Sequence, residues 1–265
     1  MKCERARRRA PRPRRILAPM RVNDDLAVLP LETTLMGGPT TLHLALILDP
    51  EQGHTLVDSG VPGQLGATLA ALAEVGVGVR DLRRVILTHQ DLDHIGSLAD
   101  VVRASGAEVL AHEVEAPYIE GRLPPAKMPP PEVREAMLAS MPPRMRELFE
   151  RGAEPVPVTR RLHDGERLDL AGGVRVVFTP GHTPGHLSLY LEKSRTLISG
   201  DALVARDGQL AGPIERATPD MRAARASVRK LAELDVQTIL CYHGGLVTRD
   251  AGEQLRRLAD QETTT

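Results

Sequence analysis

Four short apolar runs in this chain each stop at a histidine or an aspartate. "RRVILTHQDLDH" ends in a cluster, His89, Asp91, Asp93 and His94. "VRVVFTPGHTPGH" leads to His182 and His186, "RTLISGD" to Asp201 and "QTILCYH" to His243. A fifth run, "HTLVDSG", delivers Asp58. Short runs rich in Val, Ile and Leu, bounded by Gly, Pro and polar residues, read as buried strands. Solitary core histidines have no reason to collect at strand exits. Strand-end loops on a rigid scaffold are where active sites are assembled.

The first cluster taken alone has two readings. It is a polar loop capping a helix that starts near Ile95, with Asp93 as N-cap. Alternatively it is a set of histidine and carboxylate ligands for a divalent metal. In the second reading, alternate positions 89, 91 and 93 face one cavity if the segment stays extended, and His94 follows as the chain turns. The repetition at the other exits favours the metal.

The remaining pattern points to α/β architecture. Strand-like runs begin at Leu26 with "LAVLPLETTLM" and "TTLHLALILD". Helical spacing is predicted over roughly 62–75, 97–105, 220–234 and 251–260. Two strand-rich halves, each closed by helices, imply two sheets packed face to face with helices outside. Residues 113 to about 160 differ: "LPPAKMPPPE" separates helical pieces in which Val133, Met137, Leu138 and Met141, then Met145, Leu148 and Phe149, recur on one face. Core packing is the expected meaning of such a stripe. A lid over a substrate is the alternative, because insertions between core elements often carry specificity.

Composition excludes several classes. Net charge is -1 over 265 residues, so no global field draws in nucleic acid or an anionic membrane. Two Phe, three Tyr and no Trp leave little for base stacking. Cys3 and Cys241 lie at opposite ends of the sequence, which rules out a disulfide framework and fits a cytoplasmic setting. Residues 1–19 are basic and Pro-rich and are expected to form a disordered tail, without the apolar stretch of a secretory signal, ahead of one domain over 20–265.

In order and spacing, "LVDSG", "THQDLDH", "PGHTPGH", "SGDA" and "YHGG" resemble the metallo-β-lactamase superfamily, from about Leu26 to the C-terminal end. The resemblance implies a four-layered αββα sandwich, two mixed sheets with helices on the outer faces, and a metal site at one edge. It implies two divalent ions, zinc first, with iron and manganese as alternatives. One is held by His89, Asp91 and His182, the other by Asp93, His94 and His243, and Asp201 bridges them. Asp58 stands behind, orienting a ligand. His186 matches a structural position, and His43, His54, His112 and His163 match no ligand position. The family usually has His where this chain has Asp91. The extra carboxylate shifts metal preference toward iron or manganese without excluding zinc. At about 4 Å and an effective dielectric of about 20 it is worth about 4 kcal/mol before shielding, roughly three pKa units as an upper bound. Asp91→His is therefore expected to lower the acidic limb of a pH–rate profile.

The activity implied is hydrolysis of an ester-like bond, in an ester, lactone or thioester of a small molecule, by a hydroxide held between the metals. Asp93 and Asp201 are the catalytic carboxylates, Asp93 passing a proton to the leaving group. Val204 stands where lactonases of the family carry Tyr, which argues against a lactone. An iron-dependent oxidoreductase is the alternative that Asp91 supports. A phosphodiesterase or nucleic-acid-processing hydrolase is the one that the Arg-rich tail supports. The expected partner is a small-molecule substrate, with neither nucleic acid nor membrane, and a homodimer is compatible with the sequence.

Overall fold

Alternation along the strands sets the layers. The structure, a computed structural model, describes residues 18–35 and 38–261, with the side chains of Arg144, Met145 and Leu148 outside the description. Most of the expected tail, residues 1–17, lies outside the described residues. The first sheet runs in sequence order through β1 (Met20–Arg21), β2 (Leu26–Leu35), β3 (Gly38–Ile47), β4 (His54–Val57), β5 (Leu82–Leu87), β6 (Glu108–His112) and β7 (Arg160–Leu162). The second sheet contains β8 (Arg167–Leu168), β9 (Val174–Phe178), β10 (Leu187–Leu191), β11 (Thr196–Gly200), β14 (Thr238–Cys241) and β15 (Gly245–Val247). Its order is β15-β14-β11-β10-β9-β8, and β12 (Val204–Arg206) pairs with β13 (Gln209–Ala211) as a separate ribbon.

Along β5, Val85 and Leu87 enter one core while Ile86 enters another. The first core includes Leu72 of α1 (Leu65–Glu74) and Val101 of α3 (Leu98–Ser105). The second lies between the sheets and joins Ile86 to Ile198 and Leu240. The third sets Leu197 and Ile239 against Val228 of α7 (Met221–Ala232) and Leu255 of α8 (Ala251–Gln261). Period-two side chains on two stacked sheets thus produce three apolar layers and a helix–sheet–sheet–helix sandwich. Truncating a fully buried leucine in any of them costs roughly 2–5 kcal/mol.

Parallel pairing decides where the polar strand exits meet. Strands β4, β5, β6 and β7 are parallel neighbours in one sheet, and β11 and β14 are parallel in the other. Their carboxyl ends come together where the sheets join. There Leu187 N–H donates to the Thr88 carbonyl at 3.0 Å and His43 N–H to the Tyr242 carbonyl at 3.0 Å. Among the described residues no helix is long and apolar enough to cross a membrane.

Two expectations are corrected. The segment after β5 is not extended through Asp93, because α2 (Leu92–Ile95) begins one residue earlier. The Asp91 carbonyl accepts from the His94 and Ile95 N–H groups at 2.8 and 3.1 Å, so Asp93 lies inside the helical turn and is not its N-cap. Asp91 holds the cap position without a side-chain cap bond. The apolar stripe, where its side chains are described, is not core. Between β6 and β7 come α4 (Ala116–Ile119), α5 (Pro131–Ser140) and α6 (Pro143–Arg151), and α5 has no buried residue. Val133 and Phe149 are exposed, and Met137, Leu138 and Met141 are half-buried. Both helices open on a proline, a favoured first helical residue, and they pack on each other.

Candidate metal centre

Each candidate side chain leaves a strand end or the turn after it. Asp58 follows β4, His89 and Asp91 follow β5, Asp93 and His94 lie in α2, His182 follows β9, Asp201 follows β11 and His243 follows β14. All seven predicted donors converge. Ligand atoms of His89, His182 and Asp201 lie within 4.8 Å of one another, as do those of Asp93, His94 and His243. Asp201 spans the sets: its Oδ2 is 3.2 Å from His182 Nε2 and 3.4 Å from His243 Nε2, and its Oδ1 is 3.4 Å from His94 Nε2. Asp93 Oδ2 is 3.3 Å from His243 Nε2. Asp91 flanks the first set, with Oδ2 3.1 Å from His182 Nε2 and 3.4 Å from His89 Nε2.

Asp58 fixes the tautomers of two rings. Its Oδ2 lies 2.9 Å from His94 Nδ1, and a carboxylate only accepts, so Nδ1 carries the proton. Thr88 donates its N–H to Asp58 Oδ1 at 2.9 Å and its hydroxyl to Oδ2 at 2.9 Å. With its one proton committed, Thr88 Oγ1 accepts from His89 Nδ1 at 3.0 Å. Both histidines therefore turn Nε2 inward. Asp58 sits at φ 63, in the left-handed region, where a non-glycine residue stores roughly 1–3 kcal/mol of strain. Its N–H donation to the Ile86 carbonyl at 2.9 Å holds it there.

The Nε2 atoms of His89 and His94 and the Oδ1 of Asp201 are buried without a hydrogen-bond partner. Buried polar atoms left in this way each cost about 1–3 kcal/mol unless something satisfies them. The donor set and its spacing fit a divalent cation. Electrostatics agree. Burial pulls His243 down, yet Asp201 and Asp93 lift it to about 10. Burial likewise opposes the rise of His94, and Asp58, Asp201 and Asp93 carry it well above the usual histidine range. For Asp201 burial pushes upward, but His243, His94 and His182 hold the carboxyl well below its ordinary range. The carboxylates draw positive charge into the centre.

The other histidines play different parts. His186 Nε2 accepts the Asp201 N–H at 3.0 Å, so its Nδ1–H donates to Thr179 Oγ1 at 2.8 Å, and burial holds it down at about 3. The close approach requires glycine at position 200: a Cβ there would meet His186 Nε2 at 2.6 Å, on a backbone at φ +52. His43 is buried beside Tyr242, His112 stacks on Phe178, His54 accepts the Asp49 N–H and His163 is exposed. Cys241 is buried with its thiol pushed up to about 12 by burial, a packing residue rather than a nucleophile.

Three neighbours escape the sequence reading. Tyr242 stacks on His94 with ring centroids 3.8 Å apart and donates its hydroxyl to the Asp93 carbonyl. Glu115, fully buried, accepts the Gln90 N–H and the Gly185 N–H, both at 2.8 Å, and so ties the "HQDLDH" loop to the "PGHTPGH" loop. Lys127, from the Pro-rich segment, places Nζ 2.5 Å from Asp91 Oδ2 and 2.7 Å from His182 Nε2. The tyrosine was within reach as the residue before His243. Glu115 and Lys127 carry no periodicity or motif to mark them.

Inward-facing histidines and carboxylates at the joined strand ends of an αββα sandwich are the arrangement of a metal-dependent hydrolase. The chain belongs to the metallo-beta-lactamase superfamily, whose family model matches residues 38–243. It is 31% identical over 212 residues to the probable metallo-hydrolase YflN of Bacillus subtilis (strain 168), covering 74% of this chain and 77% of that protein. It is 28% identical over 214 residues to a hydroxyacylglutathione hydrolase of Cereibacter sphaeroides, covering 80% of this chain and 66% of that one. Among solved structures, the metallo-beta-lactamase family protein TTHA1429 from Thermus thermophilus superposes with a TM-score of 0.68 at 27% identity, covering 92% of this chain and 81% of that one. BJP-1, a subclass B3 metallo-beta-lactamase of Bradyrhizobium japonicum, shares the fold with a TM-score of 0.65 at 19% identity, over 94% and 91% of the two chains. Membership brings divalent metal ions with it, and the donor groups at the strand ends fit them.

Proposed function

We propose that the protein hydrolyses an ester-like bond of a small molecule with two divalent ions, zinc first among them. His89, Asp91 and His182 serve the first position, Asp93, His94 and His243 the second, and Asp201 both. The observation that carries this reading is the convergence of two three-residue donor sets with unpartnered inward atoms on His89, His94 and Asp201. When bound, a metal pair supplies an activated water near neutral pH and polarises the bond to be broken.

The remaining work falls to the chain. Asp58, directly and through Thr88, keeps His94 and His89 in the tautomer that presents Nε2. His186 anchors Asp201 by its backbone N–H. Tyr242, whose hydroxyl burial keeps protonated, fixes the Asp93 backbone, leaving that partly exposed carboxylate to carry a proton to the leaving group. A thioester is the first substrate to try, because one relative is named hydroxyacylglutathione hydrolase. Val204, buried at the start of β12, weighs against a lactone.

The test is a panel of aryl esters, lactones, acyl thioesters and a phosphodiester, assayed on metal-depleted protein reloaded with zinc, manganese or iron. Thioester or ester turnover restored by metal is the expected result. Phosphodiester turnover alone, or oxygen consumption by iron-loaded protein without hydrolysis, overturns it.

A further inference from the structure

The first donor set already faces a cation belonging to the chain. Lys127 Nζ lies 2.5 Å from Asp91 Oδ2 and 2.7 Å from His182 Nε2, which are themselves 3.1 Å apart. An ammonium only donates, so both atoms act as acceptors toward it. With Nε2 accepting from the ammonium, the ring proton sits on Nδ1, 3.3 Å from Thr218 Oγ1, and Nε2 has one lone pair to give. One lone pair serves one partner, an ammonium or a metal. The second set, Asp93, His94 and His243, has no lysine or arginine against it among the ion pairs of the described residues.

The lysine is delivered by the motif itself. Gln90, between His89 and Asp91, is buried, and its Oε1 accepts the Ala126 N–H at 2.9 Å. This bond pins the residue before Lys127 to the metal loop. Lys127 stands on the segment between β6 and β7, outside both sheets, so its side chain can leave without disturbing a core layer.

We propose that Lys127 is an intramolecular competitor for the first metal position, so that the second position fills first and the first fills only when the ion displaces the ammonium from His182 and Asp91. An occupant that must leave lowers apparent affinity by the fraction of time it is present. While it is present the ammonium also compensates the charge of Asp91. The inference rests on the metal assignment and not on the substrate.

The test is a zinc titration of metal-depleted full-length protein against a chromophoric chelator, for wild type, Lys127→Met and Gln90→Ala. The wild type is expected to bind in two steps at least about tenfold apart. Lys127→Met should tighten the weaker step about tenfold and leave the stronger within twofold, which also certifies the variant's fold. Gln90→Ala should act in the same direction and less. Superimposed isotherms for wild type and Lys127→Met overturn the proposal, and so does equal tightening of both steps, which would mark a general charge effect. Protein that binds no zinc in any form overturns it together with the metal assignment. Absent hydrolysis with the two-step difference intact sinks only the function proposed above.

Discussion

The two donor sets share Asp201 but are supported differently. Asp93, His94 and His243 are backed by fixed, buried groups: Asp58 on His94 Nδ1, Tyr242 stacked on the same ring, and the Tyr242 hydroxyl on the Asp93 backbone. In the other set Asp58 reaches only His89, through Thr88, while Asp91 and His182 stand on loops that Glu115 clamps together and face Lys127 from a surface segment. One position is built into the fold, whereas the other is assembled from pieces that meet. The lesson is that a symmetric-looking ligand list in sequence conceals unequal sites, because support comes from residues outside the list.

The largest expected effect removes what the positions share. Asp201→Asn should lower kcat/KM about 10³-fold, equivalent to the several kcal/mol a metal contributes, and reduce bound metal at both positions by elemental analysis. Retention of one full equivalent would show that Asp201 serves a single position. Next, Asp58→Ala should weaken the second position roughly 10–100-fold in chelator competition, with a smaller loss at the first through Thr88. An equal fall at both would break the contrast drawn above.

Glu115→Gln tests the clamp. An amide accepts one of the two N–H groups and sets its own NH₂ against the other, so the variant should lose about 1–3 kcal/mol in denaturant unfolding. Its pH dependence has a definite sign. Burial pushes the Glu115 carboxyl above the usual range, against the pull of the Gln90 and Gly185 N–H groups. The folded state thus holds this proton more tightly than the unfolded state. The contribution is full below the ordinary glutamate range and fades as pH climbs through the raised value. The wild type should lose part of its margin over the variant across that window, and a constant margin would contradict the burial argument.

The smallest effect concerns Asp91. An ion that displaces Lys127 and takes Asp91 as a ligand shields much of its charge, so Asp91→His should lower the acidic limb of the pH–rate profile by less than about one unit, well under the upper bound for an unshielded carboxylate. In a Lys127→Met background the shift should stay the same, because the displaced ammonium no longer faces Asp91, and the double-mutant cycle measures any remaining coupling.

What is legible in the sequence follows from distance along the chain. Strand exits at His89, Asp201 and His243 are local patterns, so the sandwich and the donor residues can be read together. The start of α2 escapes such a reading because a short helix of Leu92–Ile95 has no periodicity to betray it, and Asp91 makes no side-chain cap. The stripe Val133, Met137, Leu138 and Met141 reads as core and is not, because helical spacing shows that a face exists, not what covers it. Lys127 is 36 residues from Asp91, in a Pro-rich stretch, and only the folded chain shows that Gln90 brings it back.

With no buried residue in α5, little apolar contact resists local opening of the segment that carries Lys127, far less than guards the sheets. Excursions of that segment would withdraw the ammonium while the ligand-bearing strands stay folded. How fast the protein takes up its metal then depends on how often a patch of surface lifts, a rate that heat, crowding or a bound neighbour can alter without touching a single ligand.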